Sequence, residues 1–330
     1  MSDSARVRQA CGVVAIGRNE GERLKQCLKS IVASAGQVVY VDSGSTDDSV
    51  AFARSLGVAV VEIDMSVPFT AARARNAGFA RLREIAPEIE YVQFVDGDCE
   101  VVATWLQRAV EFLDAHAEVA VTCGRRRERY PEQSIYNALC DIEWEAPAGE
   151  TRSCGGDAMM RVSRLEAAGG YRPDLIAGEE PELCVRLRAA GGKVWRLAEE
   201  MTLHDAAMTR FGQWWNRSKR AGYAFANGSA LHGRPPERHY QREARRALVW
   251  GLVFPTFALV AALLVNPWAL ALFLAYPLQV LRVGLRPAEV PLKWWRAFFL
   301  ILGRFPEGAG LFKFHMNRLR GRASVLIEYK

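Results

Sequence analysis

Apolar runs alternate with helical patterns along the first 205 residues. In residues 21–34, Leu24, Leu28, Ile31 and Val32 recur at helical spacing, whereas the neighbouring runs are apolar throughout. Strands of that kind, alternating with helices, indicate a mainly parallel sheet that is covered on both faces. The pattern predicts strands over 12–17, 37–42, 58–63 and 91–96, and helices over 21–34, from Asp47 or Asp48 onward, and over 70–85.

A second kind of pattern occupies the stretch from Ala247 to Leu281, which carries no charged residue. One helix of this length would run roughly 52 Å, well beyond a hydrocarbon core of about 30 Å. Asn266-Pro267 is a turn signal, so we expect two helices of about 19 and 15 residues that form a membrane hairpin. Alternatively, the hairpin is a shallow re-entrant one, or the buried core hairpin of a soluble protein.

Basic residues lie on both sides of this run, and the turn between the two predicted helices has none. By the positive-inside rule, both ends of the hairpin lie in the cytoplasm. Residues 211–246 form a basic juxtamembrane helical region, in which Arg217 to Arg246 contain eight Lys or Arg against two Glu. Residues 282–330 mix Trp, Phe and Leu with Lys and Arg, which is typical of amphipathic interfacial helices.

Composition changes this picture only a little. The chain has 330 residues, of which 50% are hydrophobic and 24% charged, and its net charge is +6. Because the basic residues cluster beside the apolar run, we expect anionic membrane lipids as partners, and no nucleic acid. The seven cysteines form no Cys-x-x-Cys pair, which indicates reduced thiols. The early apolar run is too short for a signal peptide, so we expect residues 1–210 to lie in the cytoplasm, next to a membrane. In a bacterium, this would be the inner membrane.

Two predicted strands end in carboxylates, Asp42 and Asp96. In parallel sheets, ligands bind beyond the carboxyl ends of the strands. Asp98 follows Asp96 by two positions, and like charges about 4 Å apart repel by roughly 4 kcal/mol at an effective dielectric near 20. The pair is therefore either a solvated turn or the holder of a cation. The Gly/Ser loop after Asp42 and the helix start behind it suit a ribose, a diphosphate and a divalent ion.

Five segments now resemble the family-2 glycosyltransferases, which have the GT-A nucleotide-sugar fold. In chain order they read "VVAIGRNEGERLKQCLKSI", "VVYVDSGSTDDS", "ARARNAGFA", "YVQFVDGDC" and "GGDAMMRVSRLEAAGGYRPDLIAGEEPELCVRLRAAGGKVWRL". The resemblance covers roughly residues 11–205. It implies an α/β, Rossmann-like catalytic domain over 1–210, followed by the membrane hairpin and the interfacial helices.

The resemblance also implies a donor site. The residues after the first strand, which cradle the nucleoside in the family, are here Arg18, Asn19 and Glu20. Asp42 and Ser43 match the loop that contacts base and ribose, although the family usually has a second Asp where Ser43 stands. Residues near the diphosphate are implied to be Arg73, Arg75 and Asn76.

By the same resemblance, Asp96-Gly97-Asp98 is the metal motif for Mg²⁺ or Mn²⁺. Asp98 is the expected direct ligand, and Asp96 lies near the ribose or a metal-bound water. A cation between the two carboxylates and the donor diphosphate would remove their repulsion. His204 occupies the place of a third ligand in the family, or is a structural hydrogen-bonding residue.

Glu180 takes the position of the family's catalytic base, which deprotonates the acceptor hydroxyl, and Glu179 is the alternative. Without the resemblance, both would be read as acidic residues of a helix start. Asp157 matches a Gly-Gly-Asn/Asp segment and would hold the donor sugar or the acceptor, unless its two glycines simply form a tight turn.

The function expected from these features is an inverting, metal-dependent transfer of a sugar from a nucleotide-diphospho-sugar. The acceptor would be lipid-linked or otherwise membrane-associated, in cell-envelope or exopolysaccharide synthesis. Residues 213–223 lack the Gln-x-x-Arg-Trp motif of processive synthases, which favours the addition of one sugar per encounter. Alternatives are a sugar nucleotidyltransferase of the same fold and a non-catalytic, membrane-anchored scaffold.

Overall fold

The computed structural model describes residues 3–287, 290–321 and 327–328. It contains two compact units, Met1–Tyr130 with Glu143–Ala206, and Pro131–Ile142 with Ala207–Lys330. Parts of the predicted interfacial region 282–330, namely 288–289, 322–326 and 329–330, lie outside the described residues.

The strands of the first unit agree with the predicted positions up to residue 96 and continue beyond them. They are β1 (Cys11–Gly17), β2 (Gln37–Asp42), β3 (Ala59–Glu62), β4 (Tyr91–Asp96), β5 (Cys99–Val101), β6 (Val119–Glu128), β7 (Gly149–Glu150), β8 (Ala158–Arg161) and β9 (Lys193–His204).

The helices are α1 (Asp3–Ala10), α2 (Glu22–Val32), α3 (Ser49–Ser55), α4 (Ala71–Ile85), α5 (Trp105–Ala115), α6 (Ile135–Trp144), α7 (Val162–Ala167), α8 (Glu179–Ala189), α9 (Phe211–His232), α10 (Gln241–Leu248), α11 (Phe254–Leu264), α12 (Ala275–Gly284), α13 (Lys293–Leu302) and α14 (Arg304–Leu319). Shorter helical turns lie at Pro131–Gln133 and Pro267–Leu274, which are 3₁₀, and at Val249–Val253, which is π.

The sheet has the strand order β3-β2-β1-β4-β8-β6-β9-β5, with β7 beside β9. The pairings among β3, β2, β1 and β4 are parallel, as is the pairing of β6 with β9. The strands β8, β5 and β7 pair antiparallel to their neighbours. The predicted α/β sheet domain is therefore confirmed, and its sheet is mixed, because β8 enters between β4 and β6 in the opposite direction.

Register brings the predicted carboxylates to one edge of this sheet. Ile16 pairs with Asp96, and Gly17 pairs with Asp42, so β1, β2 and β4 end together. Their apolar side chains are buried, and α2 packs on them through Leu24, Leu28 and Ile31. The helical period predicted for α2 thus matches the face that it buries.

In the second unit, helix α9 packs closely against α14. Gly222 lies so near the α14 backbone that a Cβ atom there would come within 2.0 Å of the Glu307 carbonyl oxygen. Next to this contact, the rings of Tyr223 and Phe314 meet edge to face, with centroids 5.3 Å apart.

The apolar run breaks where the sequence predicts. Asn266 ends the first helical stretch, and its side chain accepts a hydrogen bond of 2.9 Å from the Trp268 N–H. Among the described residues, the stretches Gln241–Leu264 and Pro267–Gly284 are long and apolar enough to cross a membrane, with 24 and 18 residues. Most of their surface is exposed, as expected of helices that meet lipid or another apolar partner.

Candidate active site

A carboxylate and an imidazole meet at the edge of the sheet where β4 ends. His204 is the last residue of β9, and its sheet partners are Cys99 on β5 and Glu128 on β6. Its Nε2 lies 3.3 Å from Asp98 Oδ2, and its Nδ1 lies 3.5 Å from Glu128 Oε2. All three side chains are buried. A histidine held between two carboxylates in this way has a fixed ring orientation, with Nε2 directed at Asp98.

These residues fit a divalent cation. One ligand atom each from Asp98, Cys99 and His204 lies within 4.8 Å of the other two. The carboxylate oxygens of Asp98 suit Mn²⁺ or Mg²⁺, and an outer carboxylate on the imidazole is the usual support of a metal-bound histidine. The structure thus brings together two of the three predicted metal ligands, Asp98 and His204.

Asp96, the third predicted ligand, is held by a guanidinium instead. Arg75 Nη2 lies 2.7 Å from Asp96 Oδ1, and Arg75 Nη1 lies 2.5 Å from Glu179 Oε1. Burial alone would lower the pKa of the Arg75 guanidinium, but the charges of Asp96 and Glu179 outweigh burial and raise that pKa above its ordinary value. Arg75 therefore stays charged and ties the metal motif to the acidic motif at the start of α8.

Asp157 is fully buried and lies behind Asp96. Its Oδ1 accepts a hydrogen bond of 2.9 Å from the Asp96 backbone N–H. Its Oδ2 accepts from Thr202 Oγ1 at 2.9 Å and lies 2.7 Å from Arg126 Nη2. Since both oxygens are engaged and the residue has no exposed surface, Asp157 fixes the backbone of the metal motif.

Gly156 explains why the segment before Asp157 is rich in glycine. A Cβ atom at this position would lie 2.7 Å from Asp96 Oδ2 and 2.8 Å from Arg75 Nη2. Those distances are too short for a side chain, so a glycine here lets the loop approach the Arg75–Asp96 pair.

Glu180 lies beneath the same loop. Its two oxygens accept hydrogen bonds of 2.9 Å each from the backbone N–H groups of Cys154 and Gly155, and Cys184 Sγ is 3.0 Å from Oε1. Burial raises the pKa of this carboxyl above its ordinary value. Its partners in the described part of the chain are neutral N–H and S–H groups, in contrast to the guanidinium that holds Glu179.

The loops predicted to hold the nucleoside are tied to one another. Asp42 Oδ1 accepts from Tyr40 Oη at 2.9 Å, and Oδ2 accepts from the backbone of Gly44 and Ser45 at 3.0 and 2.8 Å. Asn19 joins the loop after β1 to this loop, because its Oδ1 accepts from the Thr46 N–H at 2.7 Å.

The remaining predicted donor residues have varied surroundings. Arg73 donates to the carbonyls of Val67 and Pro68, both at 2.8 Å, and Asn76 makes two hydrogen bonds to the backbone of Tyr171. The other three are Ser43, which is buried, Glu20, which pairs with Arg23 at 2.7 Å, and Arg18, which is exposed.

Sequence reasoning missed Glu128, Arg126 and Thr202. Glu128 and Arg126 lie in "GRRRERY", which carries no motif, and they reach the site through the pairing of β6 with β9. That pairing is non-local, so the chain offers no local signal for either residue. Thr202 stands two positions before His204, so the two side chains lie on the same face of β9. This spacing is the one sequence feature that indicates a place for Thr202 near the site.

The chain is similar to known glycosyltransferases in sequence. Residues 13–157 match the family model described as glycosyl transferase family 2. The glycosyltransferase AglE of Haloferax volcanii is 23% identical over 217 residues, which is 62% of this chain and 69% of AglE.

Solved structures share the fold. The mannosyltransferase PcManGT from Pyrobaculum calidifontis, in complex with GDP-Man and Mn²⁺, has a TM-score of 0.57 at 21% identity, over 94% of this chain and 87% of that chain. A glucosyl-3-phosphoglycerate synthase from Mycobacterium tuberculosis, in complex with Mn²⁺, UDP and phosphoglyceric acid, has a TM-score of 0.50 at 17% identity, over 71% of this chain and 82% of that chain. Residues 13–157 thus match glycosyl transferase family 2, and the chain shares its fold with solved GT-A glycosyltransferases.

Proposed function

We propose that this glycosyltransferase is inverting and metal-dependent, and that it transfers one sugar from a nucleotide-diphospho-sugar to a lipid-linked or other membrane-associated acceptor. The observation that carries the proposal is the buried Asp98–His204 pair, supported by Glu128 and placed two residues from the Arg75-bound Asp96. A divalent ion, Mg²⁺ or Mn²⁺, held by Asp98 and His204 would neutralise the diphosphate that leaves.

Two observations support a nucleotide-sugar donor. PcManGT was solved with GDP-Man and Mn²⁺, and the synthase with UDP and Mn²⁺. In this chain, Asp42 and Asn19 hold the loop 43–46 in one conformation, which gives a nucleoside a prepared surface beside Arg18, Glu20 and Ser43. Asp96 ends β4 and Asp42 ends β2, on the two sides of β1, and we assign Asp96 to the donor's ribose or to a water on the metal.

The diphosphate requires positive charge and a rigid frame. Arg75 supplies a buried guanidinium beside Asp96, while Arg73 and Asn76 fix the loops at the start of α4 and before α8. Asp157 acts through Asp96, because its oxygens hold the backbone of the metal motif. We therefore assign Arg73, Asn76 and Asp157 as positioning residues of the donor site.

Glu180 is the proposed general base. Burial raises its pKa, which makes it a stronger base than an ordinary glutamate, whereas Glu179 is engaged by the Arg75 guanidinium. Oε1 accepts from both Cys154 N–H and Cys184 S–H, whereas Oε2 accepts from Gly155 N–H and keeps a second lone pair for the acceptor hydroxyl. The hydroxyl oxygen attacks the anomeric carbon, its proton passes to Glu180, and the bond to the diphosphate oxygen breaks.

The second unit motivates the membrane assignment. The stretches Gln241–Leu264 and Pro267–Gly284 are mostly exposed, and basic residues stand at the start of the first and the end of the second. We assign them to a hairpin with both ends at the cytoplasmic face, and we assign the α13 residues Trp294 and Trp295 to the interface. Anionic lipids would be attracted by the basic residues of 217–246, at about 1 kcal/mol each.

A thermal-shift screen tests the donor and metal requirement together. The purified chain in detergent is heated with UDP-, GDP- and dTDP-sugars, each with Mn²⁺, with Mg²⁺ or with a chelator. A ligand at 100 times its Kd stabilises the folded state by about 2.7 kcal/mol. We expect a rise in melting temperature that needs one nucleotide-sugar and the metal at once; a rise that is equal with the chelator would contradict the metal role.

A further inference from the structure

Cys99 brings a sulfur atom to the Asp98–His204 pair. It is the first residue of β5, directly after Asp98, and it stands opposite His204 in the antiparallel pairing of β5 with β9. Residues opposite each other in such a pair have Cβ atoms about 4.5–5.5 Å apart. Asp98 and Cys99 therefore lie where β5 begins, and His204 comes from the neighbouring strand β9. The pairing of the two strands brings the three side chains together.

The distance between the nitrogen and oxygen donors matches that of a tetrahedral zinc site, and the sulfur lies close to the other oxygen of the same carboxylate. Zinc bonds of about 2.0–2.1 Å to oxygen and nitrogen, at the tetrahedral angle, separate the two donors by about 3.3 Å. His204 Nε2 and Asp98 Oδ2 are 3.3 Å apart. With a zinc–sulfur bond of about 2.3 Å, sulfur and oxygen would be about 3.6 Å apart. Cys99 Sγ lies 3.6 Å from the other Asp98 oxygen, Oδ1.

The surroundings also suit a soft metal ion. Asp98, Cys99 and His204 are 6%, 0% and 7% exposed, so an ion bound there would lose most of its water. Glu128 holds the Nδ1 side of His204 and leaves Nε2 directed at Asp98. Thiolate and imidazole donors favour Zn²⁺ over Mg²⁺ and Mn²⁺, which prefer oxygen.

We propose that Asp98, Cys99 and His204 form a three-ligand site for a thiophilic divalent cation of the Zn²⁺ class, and that this ion inhibits the enzyme by displacing the hard metal ion of sugar transfer. On binding, the Cys99 S–H bond breaks, the proton goes to solvent, and a zinc–sulfur bond forms. The inhibition rests on the proposed function, because Asp98 and His204 would bind both ions. The binding of Zn²⁺ itself does not rest on that function.

The test compares metal binding by the full chain in detergent for the parent, Cys99→Ser and Cys11→Ser. Cys11 is an equally buried cysteine and is the first residue of β1, a strand whose other end lies at the site. Cys11→Ser is therefore the matched control. Calorimetry gives the affinities for Zn²⁺ and Mn²⁺, and Co²⁺ provides a thiolate charge-transfer absorption. We expect Cys99→Ser to lose this absorption and to bind Zn²⁺ at least about tenfold more weakly. Loss of an outer-shell partner of a metal ligand already weakens metal binding by about 10–100-fold, and loss of a direct ligand should cost at least as much. The Mn²⁺ affinity of Cys99→Ser should stay within about threefold, because manganese prefers oxygen donors.

X-ray absorption of the parent with one bound Zn²⁺ removes the dependence on a folded variant. One sulfur at about 2.3 Å is expected in the zinc shell. A shell of nitrogen and oxygen alone, or equal Zn²⁺ affinity of the parent and Cys99→Ser, would overturn the proposal. Failure of the proposed function would look different, since Zn²⁺ would then bind through sulfur while no nucleotide-sugar is turned over with Mn²⁺.

Inhibition is measured separately on Mn²⁺-dependent transfer. Zn²⁺ should inhibit the parent and Cys11→Ser at the same concentration, and this inhibition should weaken as Mn²⁺ is raised. Inhibition of the parent that does not change with Mn²⁺ would show that Zn²⁺ acts elsewhere, and would overturn the displacement.

Discussion

At the scale of single residues, the carboxylates of the site differ in what holds them. Glu179 is bonded to the Arg75 guanidinium, Asp98 faces the His204 imidazole, and Glu180 accepts from backbone N–H groups. The guanidinium occupies an oxygen of Glu179, whereas burial raises the pKa of the Glu180 carboxyl. This difference separates the proposed roles of two adjacent residues.

Replacement of the proposed base should abolish most turnover. In Glu180→Gln, the amide cannot accept the acceptor's proton, so we expect kcat to fall by about 10²–10⁴-fold while donor binding persists. Steady-state kinetics and a donor-binding measurement on the same sample check this. Glu179→Gln is the comparison: if it loses as much kcat as Glu180→Gln and also keeps donor affinity, the assignment of the base is wrong.

The pH profile of the parent carries the same information. Because Glu180 must be deprotonated to act and burial raises its pKa, kcat/KM should rise with pH through an apparent pKa above the ordinary glutamate value of about 4.3. A profile that is flat from the lowest pH at which the chain stays folded up to neutrality would contradict this role.

Glu128 should control the metal through His204. In Glu128→Gln, the charge beside Nδ1 is lost and the imidazole is less firmly held, so we expect Mn²⁺ to bind about 10–100-fold more weakly. Manganese binding is measured directly by electron paramagnetic resonance. Glu100→Gln, on β5 two strands away from Glu128 and paired with Arg129, is a control that should keep the parent affinity.

The site residues could be predicted from sequence only as far as local motifs carried them. Asp98 and His204 meet as expected, but Asp157 and Asn76 are engaged by backbone groups far away in sequence. Glu128 and Arg126 depend on strand pairing between β6 and β9. Such non-local register leaves no trace in the spacing of a single segment.

At the scale of elements, apolar runs identify β1, β2 and β4 because these strands are buried on both faces, and they also identify β3, which is partly buried at the sheet edge. The later strands are harder to predict. The antiparallel entry of β8 between β4 and β6 follows from long-range pairing, and the four-residue strand is too short for a periodic signal. The hairpin break at Asn266-Pro267 was readable because a cap residue followed by proline marks a helix boundary.

The close contact of α9 with α14 should be sensitive to one methyl group. In Gly222→Ala, the new Cβ would lie 2.0 Å from the Glu307 carbonyl oxygen, so the helices must separate, at a cost of about 1–3 kcal/mol. The unfolding midpoint in detergent should fall. Gly212→Ala is the matched control on the same helix, since its Cβ meets no described atom within 4 Å and alanine is the better helix former. Equal midpoints for the two variants would contradict this packing.

At the scale of the whole molecule, the chain separates its chemistry from its apolar surface. The site residues discussed above belong to the first unit, and the two long apolar stretches belong to the second. Two stretches of 24 and 18 residues can each cross a hydrocarbon core of about 30 Å, the second because its 3₁₀ half rises about 2.0 Å per residue.

Cysteine labelling in intact bacterial cells tests the hairpin. Trp268→Cys places a thiol at the turn between the stretches, and Arg286→Cys places one just after the second. An impermeant maleimide applied from outside should label Trp268→Cys, and it should label Arg286→Cys only after the cells are opened. The parent chain measures the background from its own thiols. Labelling of Trp268→Cys only in opened cells would indicate a hairpin that does not span.

The central claim is that Asp98 holds a metal ion for transfer from a nucleotide-sugar. The most direct measurement is the rate of nucleoside diphosphate release from the donor found by thermal shift, for the parent, Asp98→Asn and the surface control Asp174→Asn. We expect Mn²⁺-dependent release by the parent and the control, and a loss of at least about 10²-fold in Asp98→Asn, because charge stabilisation of the leaving group is removed. Release by Asp98→Asn at the parent rate, or release by the parent that a chelator leaves unchanged, would contradict the central claim.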